Sequence, residues 1–239
     1  MGVALVTGAN KGIGAAVAVG LGRLGFTVLL GARDEERGRR AATSMQDEGL
    51  DVRHLPLDLD DDASVAAAAR TINDDIGRLD VLVNNAAIKL ERAPSPPSEC
   101  TLATVRQTFE TNVFGSIRVL LAMLPLLRRS DAPRVVNVSS GLGSLGLATT
   151  DGSRYQTRPL LSYNTSKAAL NSVTVQFANE LRDTSFKVNA ADPGFTNTDM
   201  TGFGTRTPEE AAAIVLRLAT LPADGPTGCF FDDDGQLPW

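Results

Sequence analysis

A short apolar run, Val3-Ala4-Leu5-Val6, passes directly into Thr7-Gly8-Ala9-Asn10-Lys11-Gly12-Ile13-Gly14, and an amphipathic stretch continues to Leu24. Strand, glycine turn and helix in that order constrain the fold more than any other feature of the chain. The arrangement presents backbone N–H groups and a helix N-terminus to a pyrophosphate. Gly8 permits the tight turn, Gly12 lets phosphates approach, and Gly14 lets the helix pack on the strand. The spacing Gly-x-x-x-Gly-x-Gly departs from the commoner Gly-x-Gly-x-x-Gly, but the flanking strand and helix supply the same context. A second run, Gly141-Leu142-Gly143-Ser144-Leu145-Gly146, fits the commoner spacing to the letter. Thr149, Thr150, Asp151, Gly152 and Pro159 after it read as loop, so a flexible segment without a phosphate role is expected there.

The rest of the chain repeats the same alternation. Strand-like runs near residues 3–7, 27–32, 52–57, 79–84, 133–138, 186–191 and 227–230 are separated by helical stretches. That is the pattern of a doubly wound parallel sheet of about seven strands with helices on both faces. With 239 residues and 43% hydrophobic content, the chain can bury one α/β core. No linker or repeat divides it, so residues 1–239 are expected to form a single domain. Its cofactor-binding part would cover about 1–140 and its catalytic and substrate-lid part about 140–239.

Charge and cysteine content exclude several functions. The net charge is −5, and Arg37, Arg39 and Arg40 lie beside Glu35 and Glu36, so no basic stripe for nucleic acid is expected. The first strand begins at the third residue, leaving no room for a signal peptide, and Val6 stands where myristoylation needs Ser or Thr. No apolar run reads as a membrane span. Cys100 and Cys229 read as free thiols of a reducing cytosol, and the expected location is cytoplasmic. No metal site is expected. The one histidine, His54, falls in the third strand and reads as packed or locally hydrogen-bonded, and Asp232-Asp233-Asp234 as a solvated turn.

Tyr163 and Lys167 carry the chemistry. Four residues apart on a helix, both side chains share one face. A phenol titrates near pH ~10 and exchanges protons poorly at neutrality, whereas a fixed ammonium beside it favours the phenolate. The only other tyrosine, Tyr155, has Pro159 four residues on.

With both elements in view, the chain resembles the short-chain dehydrogenase/reductase family from Val3 to Trp239, and in particular its NADPH-dependent carbonyl reductase branch. The glycine turn, Leu57-Asp58, Val83-Asn84-Asn85-Ala86, Thr111-Asn112-Val113-Phe114-Gly115 and Val136-Asn137-Val138-Ser139-Ser140 carry the resemblance. Pro193-Gly194 followed by Thr198, Leu221-Pro222 and the terminal Trp239 extend it. The resemblance implies a Rossmann-like fold and roles for four residues. Tyr163 would protonate a carbonyl being reduced, and Lys167 would lower its pKa and bind the nicotinamide ribose. Ser140 would hydrogen-bond the substrate oxygen, and Asn112 would hold a water relaying protons from Lys167. Implied cofactor contacts are Gly8, Asn10, Lys11, Gly12, Ile13, Gly14, Arg33, Asp58, Leu59, Asn85, Ala86, Tyr163, Lys167, Pro193, Gly194, Thr196 and Thr198. Ala87 replaces the glycine usual in the family, and the segment between Ser140 and Tyr163 looks shorter than the insertion of some monomeric carbonyl reductases.

Cofactor choice turns on the end of the second strand. NAD enzymes place Asp or Glu there, whereas Ala32-Arg33-Asp34 offers a guanidinium to a 2′-phosphate, with Lys11 as a second cation. NADPH is therefore expected, with Asp34 capping the helix that begins at Glu35. Asp58 would bind the adenine amine or cap the acidic turn Asp60-Asp61-Asp62. The segment Phe195 to Arg206 is expected to form a lid, its Phe195, Met200 and Phe203 suiting ketones, aldehydes or quinones. Alternatives are NADP-dependent alcohol oxidation, reduction of a 3-oxoacyl thioester with Arg128, Arg129, Arg154 and Arg158 at a basic entrance, and a non-catalytic NADPH sensor or scaffold. A monomer is expected, with a homodimer or homotetramer as the alternative.

Overall fold

A computed structural model describes residues 2–239. Five central strands arise where apolar, β-branched runs can be buried on both faces: β1 (Val3–Thr7), β2 (Thr27–Ala32), β4 (Val81–Asn84), β5 (Arg134–Val138) and β6 (Lys187–Ala191). β3 (Val52–Pro56) forms one edge and alternates buried with exposed residues. β7 (Phe230–Phe231) and β8 (Gln236–Leu237) form the other. The order is β3-β2-β1-β4-β5-β6-β7-β8, with every pair parallel except β7 with β8. The expected seven-strand sheet is thus extended by an antiparallel eighth. The seventh strand lies C-terminal to the expected 227–230 because Gly228, at φ +71°, still belongs to the turn.

Helices cover both faces. α1 (Gly12–Arg23), α2 (Glu35–Asp47) and α8 (Pro208–Ala219) bury Val17, Leu21, Met45, Ile214 and Leu218 with Ala4, Val6, Val28 and Leu30. α3 (Asp62–Asp75), α5 (Ser116–Leu127) and α7 (Leu161–Glu180) cover the other face, where Ile72, Leu120, Met123 and Leu181 meet Leu5, Leu29, Leu82 and Val188. Successive residues of one strand therefore serve different cores, as the two-residue period of a strand requires. Asp34 caps α2 by accepting from the Arg37 N–H at 2.9 Å, as its position after β2 implied.

Two sequence expectations are corrected. α4 (Leu102–Phe109), a π-helical turn (Glu110–Gly115) and α5 form one helical stretch, Leu102–Leu127, long and apolar enough to cross a membrane. Half of its most apolar window is buried inside the protein, which accounts for the composition. The segment after Ser140 is not an open loop either. Gly141–Gly143 makes a 3-10 turn and Leu145–Thr149 a short helix, α6, fastened where the Gly146 N–H donates to the Trp239 carbonyl at 2.7 Å. A side chain at Gly143 would stand 2.7 Å from the Lys167 backbone, so that glycine serves packing rather than phosphate binding.

Candidate active site

The carboxyl ends of β1, β4, β5 and β6 open onto one cleft, where the order of a doubly wound sheet reverses and ligands bind. The glycine turn leaves β1 with Gly8 and Gly12 at φ +64° and +57°, a region that L side chains rarely enter. Gly14 is required by packing: a methyl there would lie 2.4 Å from Asn85 Nδ2 and 2.7 Å from the Gly8 carbonyl oxygen. Asn85 clamps the turn, its amide donating to the Thr7 carbonyl at 2.8 Å. The Thr7 hydroxyl accepts from the backbone N–H groups of Asn85 and Ala86, both at 2.9 Å. Asn85 therefore shapes the cradle through both its amide side chain and its backbone, and Ala86 through its backbone.

That cradle suits a phosphate-bearing cofactor. Lys11 occupies the N-cap of α1 without a side-chain cap, and no acidic residue stands in the first turn. The helix N-terminus thus keeps its donors and positive potential for an anion. Thr198 lies on the far side, its methyl 3.5 Å from where a Gly12 side chain would begin. Arg33 is exposed at the end of β2, and no ion pair engages it among the described residues. Lys11 is already engaged, its ammonium 2.7 Å from Asp199. Asp58, two residues after β3, accepts from the Asp60 N–H at 3.1 Å at the start of the acidic turn, and Asp61 caps α3.

The four catalytic candidates converge from three elements. Asn112 sits in the π-helical turn, fully buried, with its amide donating to the Ile88 carbonyl at 2.9 Å and the Ser166 hydroxyl at 3.0 Å. Its Oδ1 accepts from the Ile88 N–H at 2.8 Å. The side chain is thus committed to protein partners, and its backbone carbonyl accepts from the Ser116 hydroxyl at 3.0 Å. Ser140 follows β5; its Oγ accepts from the Leu142 N–H at 3.2 Å, and its hydroxyl acts on the Tyr163 phenol by drawing its pKa down. Tyr163 and Lys167 project from α7, which Ser139 and Asn137 fasten to the sheet through Asn171 at 2.5 Å and Thr174 at 2.8 Å. The Lys167 ammonium donates to the Val138 carbonyl at 2.7 Å and lies 5.8 Å from the centre of the Tyr163 ring.

Burial governs the protonation of this cluster. Lys167 is 2% exposed, and loss of solvation brings it from 10.5 down to about 8, partly opposed by the charge of Asp192. The sequence led us to expect a lowered Tyr163. Instead, burial first and Asp192 second push the phenol well above its usual range, and only the Ser140 hydrogen bond pulls it down. Asp192, 5% exposed after β6, accepts from the Gly194 N–H at 3.0 Å, and its own desolvation raises it. This carboxyl was missed. Its only sequence signal is an acid between the apolar Ala190-Ala191 and Pro193-Gly194.

The segment expected to form a lid, Phe195 to Arg206, folds back on itself. The Asn197 N–H donates to the Arg206 carbonyl and the Thr205 N–H to that of Phe195, while Phe195 and Phe203 meet edge-to-face at 5.3 Å. Within it the Thr201 hydroxyl donates to the Thr196 carbonyl at 2.7 Å and to the Thr198 carbonyl at 3.1 Å, Pro193 and Gly194 lead into it, and the Arg158 guanidinium lies 5.1 Å from the Phe195 ring centre. Tyr155 rests on Gly141, filling the space a side chain there would take.

Comparison with known proteins gives matches over most of the chain. The family model described as short chain dehydrogenase matches residues 2–208. The short-chain dehydrogenase anuI of Penicillium roqueforti is 37% identical over 223 residues, covering 90% of this chain and 87% of that protein. Carbonyl reductase (NADPH) 1 of Mus musculus is 35% identical, covering 99% of this chain and 98% of that protein. That match spans 276 aligned positions against a chain of 239 residues, so the mouse protein carries additional residues within it. The solved structure of salutaridine reductase from Papaver somniferum superposes with a TM-score of 0.84 at 30% identity, covering 98% of this chain and all of that one.

Proposed function

The chain belongs to the short-chain dehydrogenase family, and from that premise we propose that it reduces a ketone, aldehyde or quinone carbonyl to the alcohol with NADPH. When bound, the cofactor supplies the hydride. The similarity to carbonyl reductase (NADPH) 1 and the unpaired Arg33 at the end of β2 support the phosphorylated cofactor. Lys11, Gly12 and Thr198 would hold its phosphates, and Lys167 its nicotinamide ribose.

The chain's own groups supply the proton and hold the reacting oxygen. Ser140 donates a hydrogen bond to the carbonyl oxygen as negative charge develops there. Tyr163 delivers the phenolic proton to that oxygen, and the adjacent ammonium of Lys167 stabilises the phenolate left behind. The observation that carries the reading is the buried Lys167 ammonium 5.8 Å from the Tyr163 ring centre, tethered to the Val138 carbonyl one residue before the Ser139-Ser140 pair. Burial and Asp192 keep the Tyr163 phenol in its protonated form, the form a proton donor needs. Phe195 and Phe203 give the mouth an apolar wall suited to uncharged carbonyl compounds.

The test is loss of NADPH absorbance with a panel of ketones, aldehydes and quinones, run in parallel with NADH. Turnover with NADPH and little with NADH is expected. Tight NADPH binding with no turnover on any carbonyl would replace the reductase by a sensor.

A further inference from the structure

The helix that carries Tyr163 and Lys167 begins without a cap of its own. Leu160 stands at its N-cap and offers no acceptor, whereas Asp34, Asp61, Thr101 and Thr207 cap α2, α3, α4 and α8 from within. The first N–H groups of a helix need partners from elsewhere. On α7 they are met from 71 residues away in the chain. Glu91, half-buried in the loop after β4, accepts from the Ser162 N–H through Oε1 at 3.0 Å and from the Tyr163 N–H through Oε2 at 3.1 Å. The Ser162 hydroxyl donates to the same Oε2 at 2.5 Å and accepts from the Thr108 hydroxyl of α4 at 3.2 Å.

The loop that delivers Glu91 is itself fixed. Asn85 holds its start to the glycine turn, and Asn112 grips Ile88 by both backbone polar groups. The carboxylate is thus the last of three attachments running from the cofactor cradle to the catalytic helix. Negative charge at a helix N-terminus is favourable, so the contact stabilises the first turn of α7 as well as locating it.

We propose that Glu91 is the positioning residue for the proton donor: by holding the Tyr163 N–H and the first turn of α7, it sets where the phenol stands over Ser140. The proposal rests on Tyr163 as the donor. Lys167 lies a turn further on and has its own tether at the Val138 carbonyl, so loss of Glu91 displaces the phenol more than the ammonium. Cofactor binding, made by the glycine turn and Lys167, is then preserved while proton delivery suffers.

Glu91→Ala and Glu91→Gln are compared with wild type, each also combined with Tyr163→Phe. Glu91→Ala should lower kcat by about tenfold to a hundredfold, the size expected for a displaced catalytic group, with the NADPH Kd nearly unchanged. Glu91→Gln retains one acceptor and should recover part of the loss. In the Tyr163→Phe background the Glu91 substitutions should cost almost nothing further. Hydrogen exchange should show the Ser162 and Tyr163 amides losing protection in Glu91→Ala while those near Thr174 keep it. Unchanged exchange at those two amides, or an equal kcat loss in the Tyr163→Phe background, would overturn the proposal. The exchange measurement needs no substrate, so it separates failure of this role from failure of the reductase reading. Glu91→Gln carries the same comparisons if the alanine variant does not fold.

Discussion

Lys167 should destabilise the unliganded protein that it serves. A fall from 10.5 to about 8 on burial corresponds to roughly 3 kcal/mol at about 1.36 kcal/mol per unit. Lys167→Met keeps the length and apolar stem of the side chain and removes the charge. It also removes the charge-assisted hydrogen bond to the Val138 carbonyl, worth about 1.5–3 kcal/mol. The net gain should be about 0.5–2 kcal/mol, or roughly 1–8 °C in Tm for a chain of this size. The sign follows from proton binding: between about 8 and 10.5 the unfolded chain holds the Lys167 proton and the folded one has released it. The cost of the buried charge is therefore fully present below about 8 and vanishes above 10.5, so the advantage of the variant should shrink as pH rises through that window. Urea denaturation at pH 7 and pH 10, without cofactor, reads both effects, and turnover should be lost in the same variant. A variant no more stable than wild type at pH 7, or one whose gain persists at pH 10, would refute the reasoning.

Other substitutions test neighbouring parts of the site. Arg33→Asp should lower kcat/KM for NADPH by roughly tenfold to a hundredfold, the worth of a lost hydrogen bond to a charged group, and improve the use of NADH; steady-state kinetics with both cofactors decides. Gly14→Ala would place a methyl against Asn85 and the Gly8 carbonyl, costing about 1–3 kcal/mol and weakening NADPH binding, read by thermal unfolding and fluorescence titration. Asp192→Asn removes a charge that raises both the phenol and the ammonium, so the alkaline limb of the reduction profile should move to lower pH, read from kcat against pH for variant and wild type.

The sheet, its helices and the glycine turn were legible because each follows from local pattern. Apolar runs such as Val81–Asn84 are buried on both faces and read as strands, and Asp34 caps the helix directly after it. β8 was not legible, since two residues at a sheet edge leave no periodicity to detect. The packed turn after Ser140 read as loop because its order comes from the distant Trp239 and Lys167. The same limit applies to the site. Ser140, Tyr163 and Lys167 were found by motif, but the direction of the Tyr163 shift depends on burial and on Asp192, which only tertiary packing brings near. Glu91 and the Lys11–Asp199 pair were invisible for the same reason, joining residues 71 and 188 positions apart.

Tyr163→Phe tests the central claim most directly, since it deletes one oxygen and leaves the ring in place. With the best carbonyl substrate and NADPH, kcat should fall by about 10²-fold or more, as expected for loss of a general acid, while the NADPH Kd stays close to wild type. A variant that turns over at the wild-type rate would contradict the assignment of Tyr163 as the proton donor.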